Sequence, residues 1–148
     1  LVSSANVGAG SIPGKPNLVD VDGDGDLDIV HPRGSSLHVY LNGNGSFGAT
    51  PSPLTYALPS APAASLYGVG DFDRDGDADL VLPSPAGGSC YVLENRFATG
   101  GGFVVGWTAP DVSPTSSTTV DFADWDHDGR LDVVAGGSNV PVRVYLQQ

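Results

Sequence analysis

The pattern D-x-D-x-D-G-x-x-D occurs three times in this sequence, at residues 20–28, 71–79 and 124–132. The first Asp of each copy stands at 20, 71 and 124, so the copies are 51 and 53 residues apart. Fourteen of the 17 Asp and Glu residues fall inside these windows, as five, five and four; Glu94, Asp111 and Asp121 lie outside. The six basic residues, Lys15, Arg33, Arg74, Arg96, Arg130 and Arg143, are scattered. A solvated acidic surface would not concentrate charge in this way. Carboxylates this crowded repel one another unless a cation sits among them.

The spacing says which cation. In a tightly curled chain, Asp at positions 1, 3 and 5 can turn alternate carboxylates inward. Gly at position 6 permits the sharp turn. A backbone carbonyl at position 7 tolerates any side chain, which suits Asp26, Asp77 and Arg130 at that place. Asp at position 9 closes the loop from the start of the next strand. Calcium takes about six to eight hard oxygens in flexible geometry, so about three calcium ions per chain are expected. The expected ligand positions are Asp20, Asp22, Asp24, Asp26 and Asp28; Asp71, Asp73, Asp75, Asp77 and Asp79; and Asp124, Asp126, Asp128, Arg130 and Asp132. An EF-hand needs Glu at position 12, where this chain has His31, Leu82 and Ala135. Magnesium demands a stricter octahedron, and zinc would call for His or Cys.

Each loop leads into a short apolar strand, at Leu27–Val30, Ala78–Leu82 and Leu131–Ala135. Turns containing Gly34, Gly87-Gly88 and Gly136-Gly137 follow, and then strands at Leu37–Leu41, Cys90–Leu93 and Val142–Leu146. Asn42-Gly43-Asn44-Gly45 is a strong hairpin-turn signal. Looser strands are expected at about 46–57 and 102–109, and strands entering the next loop at about 65–70 and 117–122. No helical periodicity is present. Four short strands in about 50 residues is the rhythm of a propeller blade. Three independent hairpin modules are the alternative, but a lone four-stranded sheet cannot bury both its faces.

These loops, with the LDIV, ADLV and LDVV strands behind them, resemble the FG-GAP/VCBS repeat family of integrin α-subunit propellers, some fungal lectins and many secreted microbial proteins. Asn44-Gly45-Ser46-Phe47-Gly48 is similar to the family's Phe-Gly element. The resemblance implies an all-β propeller of four-stranded blades, with each loop joining the innermost strand to the second and binding calcium. Three blades are expected: repeat one at about 16–58, repeat two at about 64–110 and repeat three at about 116–148. The family usually has about seven blades. Repeat three has no outer strand of its own, and residues 1–12 read as that strand displaced to the N-terminus. Two chains joined head to tail would make a closed six-bladed homodimer; a segment of a longer propeller is the alternative.

Composition narrows the function. A hydrophobic content of 40% argues against global disorder. No basic patch exists to hold nucleic acid, and no apolar run reaches the ~18 residues of a membrane span. The start at Leu1, without a signal peptide, reads as a mature or excised piece of a longer precursor. Cys90 is the single cysteine and reads as a packed side chain. Millimolar extracellular calcium points to a secreted, extracellular or periplasmic protein. The expected role is recognition or adhesion, lectin-like if the ligand is carbohydrate; a purely structural repeat is the alternative. Trp107, Trp125, Tyr56 and Tyr67 are candidates for a sugar-stacking platform, with packing between blades the plainer reading. His31 and His38 read as strand-end residues and His127 as solvent-facing. Catalysis is not expected: Asp121 is the one acid placed on an inner strand, and no nucleophile with a base is visible.

Overall fold

The computed structural model describes residues 16–47, 53–59, 67–84, 90–109, 119–137 and 140–148. Eleven strands occur among them: β1 Asn17–Val19, β2 Asp28–Arg33, β3 Ser36–Tyr40, β4 Leu54–Ala57, β5 Gly68–Gly70, β6 Asp79–Pro83, β7 Cys90–Arg96, β8 Gly102–Thr108, β9 Thr119–Ala123, β10 Asp132–Gly137 and β11 Val140–Tyr145. They form three antiparallel sheets, ordered β1-β2-β3-β4, β5-β6-β7-β8 and β9-β10-β11. A 3₁₀ turn at Phe97–Thr99 is the one helical element among the described residues. Each Asp loop therefore joins the first strand of its sheet to the second, as the sequence implied.

Several boundaries differ from expectation. The second strands start at the position-9 Asp, one residue later than read from sequence, and β2 and β10 run on to Arg33 and Gly137. Gly136-Gly137 is thus strand rather than turn, with a register irregularity between Ala135 and Gly137. The strand expected at about 46–57 is confined to Leu54–Ala57 within the described residues. The Asn42–Gly45 signal is a real turn: Asn44 and Gly45 both have positive φ, at 54° and 78°, and Gly43 and Ser46 exchange backbone hydrogen bonds. The N-terminal segment 1–12 read as a blade-closing strand lies outside the described residues.

The sheets share cores, so they are not independent modules. Period-2 alternation gives the middle sheet two apolar faces. Leu80, Leu82, Tyr91 and Leu93 pack with Val19, Val30, Leu37 and Val39 of the first sheet and with Val21 of its loop. Val81, Cys90 and Val92 pack with Val120, Val133 and Ala135 of the third. β6 is buried along its whole length because it has a neighbour on each side. Burial pushes the Cys90 thiol up to about 11, which suits a packed side chain and not a nucleophile. No helix among the described residues is long and apolar enough to cross a membrane.

Candidate metal centres

The three loops repeat one set of hydrogen bonds, position by position. The position-1 carboxylate accepts the N–H of the position-6 glycine, from Gly25 to Asp20 (3.0 Å), Gly76 to Asp71 (3.2 Å) and Gly129 to Asp124 (3.1 Å). These glycines have φ of 92°, 97° and 83°, where a side chain would be strained. The position-5 carboxylate accepts the position-7 N–H, at 2.8, 3.2 and 2.8 Å. Position 4 is also left-handed. It is Gly23 in the first loop but Arg74 (φ 63°) and His127 (φ 61°) in the others, at a cost of roughly 1–2 kcal/mol each. This requirement is not visible in the residue types, since two of the three residues there are not glycine.

Positions 1, 3 and 9 converge. Asp20, Asp22 and Asp28 each offer an oxygen within 4.8 Å of the others, as do Asp71, Asp73 and Asp79, and Asp124, Asp126 and Asp132. Asp24, Asp75 and Asp128 at position 5, and Asp26 and Asp77 at position 7, stand outside these groups. Crowding is uncompensated in part: Asp71 Oδ1 and Asp124 Oδ1 are buried and accept no hydrogen bond. A buried oxygen left this way is what a bound cation satisfies, so the residues present fit a calcium ion.

Position 9 has a second role that sequence reasoning missed. Asp28, Asp79 and Asp132 are fully buried. One oxygen of each accepts the position-2 N–H, from Val21 (2.8 Å), Phe72 (2.7 Å) and Trp125 (2.9 Å). The other accepts an N–H just past or at the end of the sheet's third strand, from Asn42 (2.7 Å), Asn95 (2.8 Å) and Gln147 (2.9 Å). The carboxylate therefore ties loop to strand whether or not an ion is present. An Asp opening an otherwise apolar run, as in LDIV and LDVV, was the available signal.

The FG-GAP-like repeat model matches residues 20–82, from the first loop through the strand behind the second. Those residues are similar to FG-GAP-like repeats. No curated protein matches the chain. The third loop lies beyond the matched residues, yet it carries the same hydrogen bonds.

Electrostatics differ among the three loops. Burial pushes the Asp79 carboxyl up to about 6 against the pull of three N–H donors. Burial and then the Asp75 charge push Asp77 up to about 7. Asp28 and Asp73 are also raised, by burial first. In loop two the Arg96 guanidinium lies 3.0 Å from Asp73 and 3.5 Å from Asp75, and also holds Glu94. In loop three Arg130 pairs with Asp128 and donates to the Gln147 carbonyl at 3.1 Å. Among the described residues loop one carries no ion pair.

The aromatic candidates separate. Tyr67 is buried with its hydroxyl donating to the Val30 carbonyl at 2.7 Å, so its ring is not a platform. Tyr56 meets Phe97 and Phe103 edge-on, and Trp107 meets Tyr145 in the same way. Trp125 is 63% exposed. His127 is exposed, as expected. His31 and His38 are not strand-end residues: they face each other in the middle of the β2–β3 pair. Burial lowers both, and neither His31 nitrogen has a partner. Asp121 is exposed on β9, one oxygen accepting the Phe122 N–H, and it lines a cavity of about 370 Å³ with Tyr67, Thr119 and Val134.

Proposed function

We propose that this chain is a calcium-stabilised recognition or adhesion module of a secreted protein, with calcium structural in its loops and carbohydrate as the ligand class. The observation that carries the calcium reading is the threefold recurrence of converging carboxylates at positions 1, 3 and 9, two of the loops leaving a position-1 oxygen buried and unmet. Three divalent ions would offset six of the eleven net negative charges. The ion would pin a turn whose own charges oppose it, leaving recognition to surfaces away from the loops. We read the module as non-catalytic, because its acids cluster in the loops and, among the described residues, the cavity beside Asp121 is lined by no His, Lys or Arg. Further blades, from a second copy or from a longer chain containing this one, would complete the ring.

Calorimetry tests the metal and its inequality between loops. About three calcium ions should bind per chain, loop two most weakly, because Arg96 already occupies Asp73. Arg96→Gln removes a positive charge close to the ion and should tighten that site by roughly tenfold. Absence of binding heat would end the calcium reading; equal affinities in both proteins would end the argument about Arg96. Recognition is tested separately on a glycan array. Calcium-dependent hits are expected, and turnover of a polysaccharide without array binding would reverse the assignment to an enzyme.

A further inference from the structure

The contacts between successive sheets repeat a single latch. Val21, at position 2 of loop one, buries its side chain between the first two sheets. Its carbonyl accepts the Asn95 side-chain amide of the second sheet at 2.9 Å. Phe72, at position 2 of loop two, is buried in the same way and stacks on Phe122 of the third sheet, ring centres 5.5 Å apart. Its carbonyl accepts the Gln147 side-chain amide at 3.0 Å. In both cases the donor is the residue whose own backbone N–H reaches its sheet's position-9 Asp. Each latch thus joins position 2 of one sheet to the end of the third strand in the next.

Both ends of the stack hold half a latch. Trp125 is the position-2 residue of loop three, the counterpart of buried Val21 and Phe72, and it is 63% exposed. At the opposite end Asn42 is the counterpart of Asn95 and Gln147, its N–H reaching Asp28. Its Nδ2 has turned to the Leu27 carbonyl of its own loop at 3.1 Å, and its Oδ1 is buried without a partner. Leu27 is the counterpart of Ala78 and Leu131, which both pack on the preceding sheet; Leu18 is the counterpart of Phe122, which packs likewise, and of Val69, which is 37% exposed. On the outer face of the first sheet Leu18 and Leu27 are 62% and 53% exposed. One chain therefore carries both complementary faces.

We propose that the chain associates head to tail with a second copy of itself, Trp125 of each seating on Leu18 and Leu27 of the other while Asn42 donates to the Trp125 carbonyl. The inference rests on the ring-completion reading above and chooses a second copy as the source of the missing blades. Two copies bring six sheets, within the about four to eight that close a propeller, and a twofold arrangement sets each exposed face against its complement. The Trp125 side chain is then an interface anchor, of the kind that dominates binding energy when it is buried at an interface centre.

The test is light scattering and sedimentation equilibrium on the calcium-loaded chain, alongside fluorescence of a Trp107→Phe variant in which Trp125 is the remaining tryptophan. Twice the chain mass is expected, with Trp125 emission shifting to the blue as concentration rises. Trp125→Ala and Leu18→Ser replace exposed side chains and should leave the circular dichroism unchanged. Each should weaken association by at least about tenfold. A monomer at tens of micromolar with concentration-independent emission would overturn the inference, as would an open-ended series of larger species. A Trp125→Ala protein that keeps its dimer mass but loses glycan binding would also overturn it. None of these results depends on how many calcium ions calorimetry counts.

Discussion

Asp132→Ala should lower unfolding stability by roughly 2–5 kcal/mol in chelator, where no calcium contribution exists to lose. The Asp132 carboxylate is fully buried and accepts the N–H groups of Trp125 and Gln147, both at 2.9 Å. Alanine leaves both donors without a partner in a part-buried setting, at about 1–3 kcal/mol apiece. The change falls on a link between the loop and the end of β11, so hydrogen exchange should quicken in both. The control lies six residues away. Asp126 belongs to the same converging group but is exposed. Asp126→Asn should change chelated stability by under about 0.5 kcal/mol while weakening calcium binding at loop three. Urea melts of the two variants separate a carboxylate that builds the loop from one that serves the ion. A loss below 1 kcal/mol for Asp132→Ala would show that the clamp is not what holds this turn.

The distinction explains what the sequence made legible. Alternating Asp with Gly at position 6 announces a curled loop, because few other arrangements tolerate that charge density. The strands followed from short apolar runs spaced by turn residues, while the burial of Leu80, Val81 and Leu82 on both faces emerges only from the packing of the three sheets. From spacing alone position 9 reads as a ligand only, because spacing cannot reveal that both oxygens of Asp28, Asp79 and Asp132 accept distant N–H groups. Asn42, Asn95 and Gln147 were invisible as a set: they lie 14, 16 and 15 residues after their Asp partners, an offset that varies with turn length. Arg96 reads as a lone basic residue until β7 brings it beside Asp73. Tyr67 offered a ring but no sign that its hydroxyl would be drawn to the Val30 carbonyl. Trp125 gave the opposite difficulty: its counterparts are buried, and only the end of the stack leaves it exposed.

In chelator, the melting temperature should rise on going from pH 8 to pH 5, the reverse of what a calcium-loaded sample should do. Asp79 is held up to about 6 and Asp77 up to about 7, from an ordinary 3.8. Each folded-state value lies above its unfolded one, so the native protein binds protons more readily. The associated stability is fully present below about 3.8 and is lost as pH rises through about 6 for Asp79 and about 7 for Asp77. Asp79 is fully buried, and by pH 5 about one unit of its shift is realised, worth ~1.4 kcal/mol. Asp77 is partly exposed and contributes less, because solvent screens its neighbours. For a chain of this length the sum corresponds to about 5–10 °C. Calcium inverts the sign: it needs the same carboxylates ionised, so protons and metal compete, and the loaded protein should lose stability between pH 7 and 5. The two melting curves should therefore approach each other as pH falls. A chelated protein that melts lower at pH 5 than at pH 8 would mean that the hydrogen bonds to these carboxylates outweigh their burial and mutual repulsion.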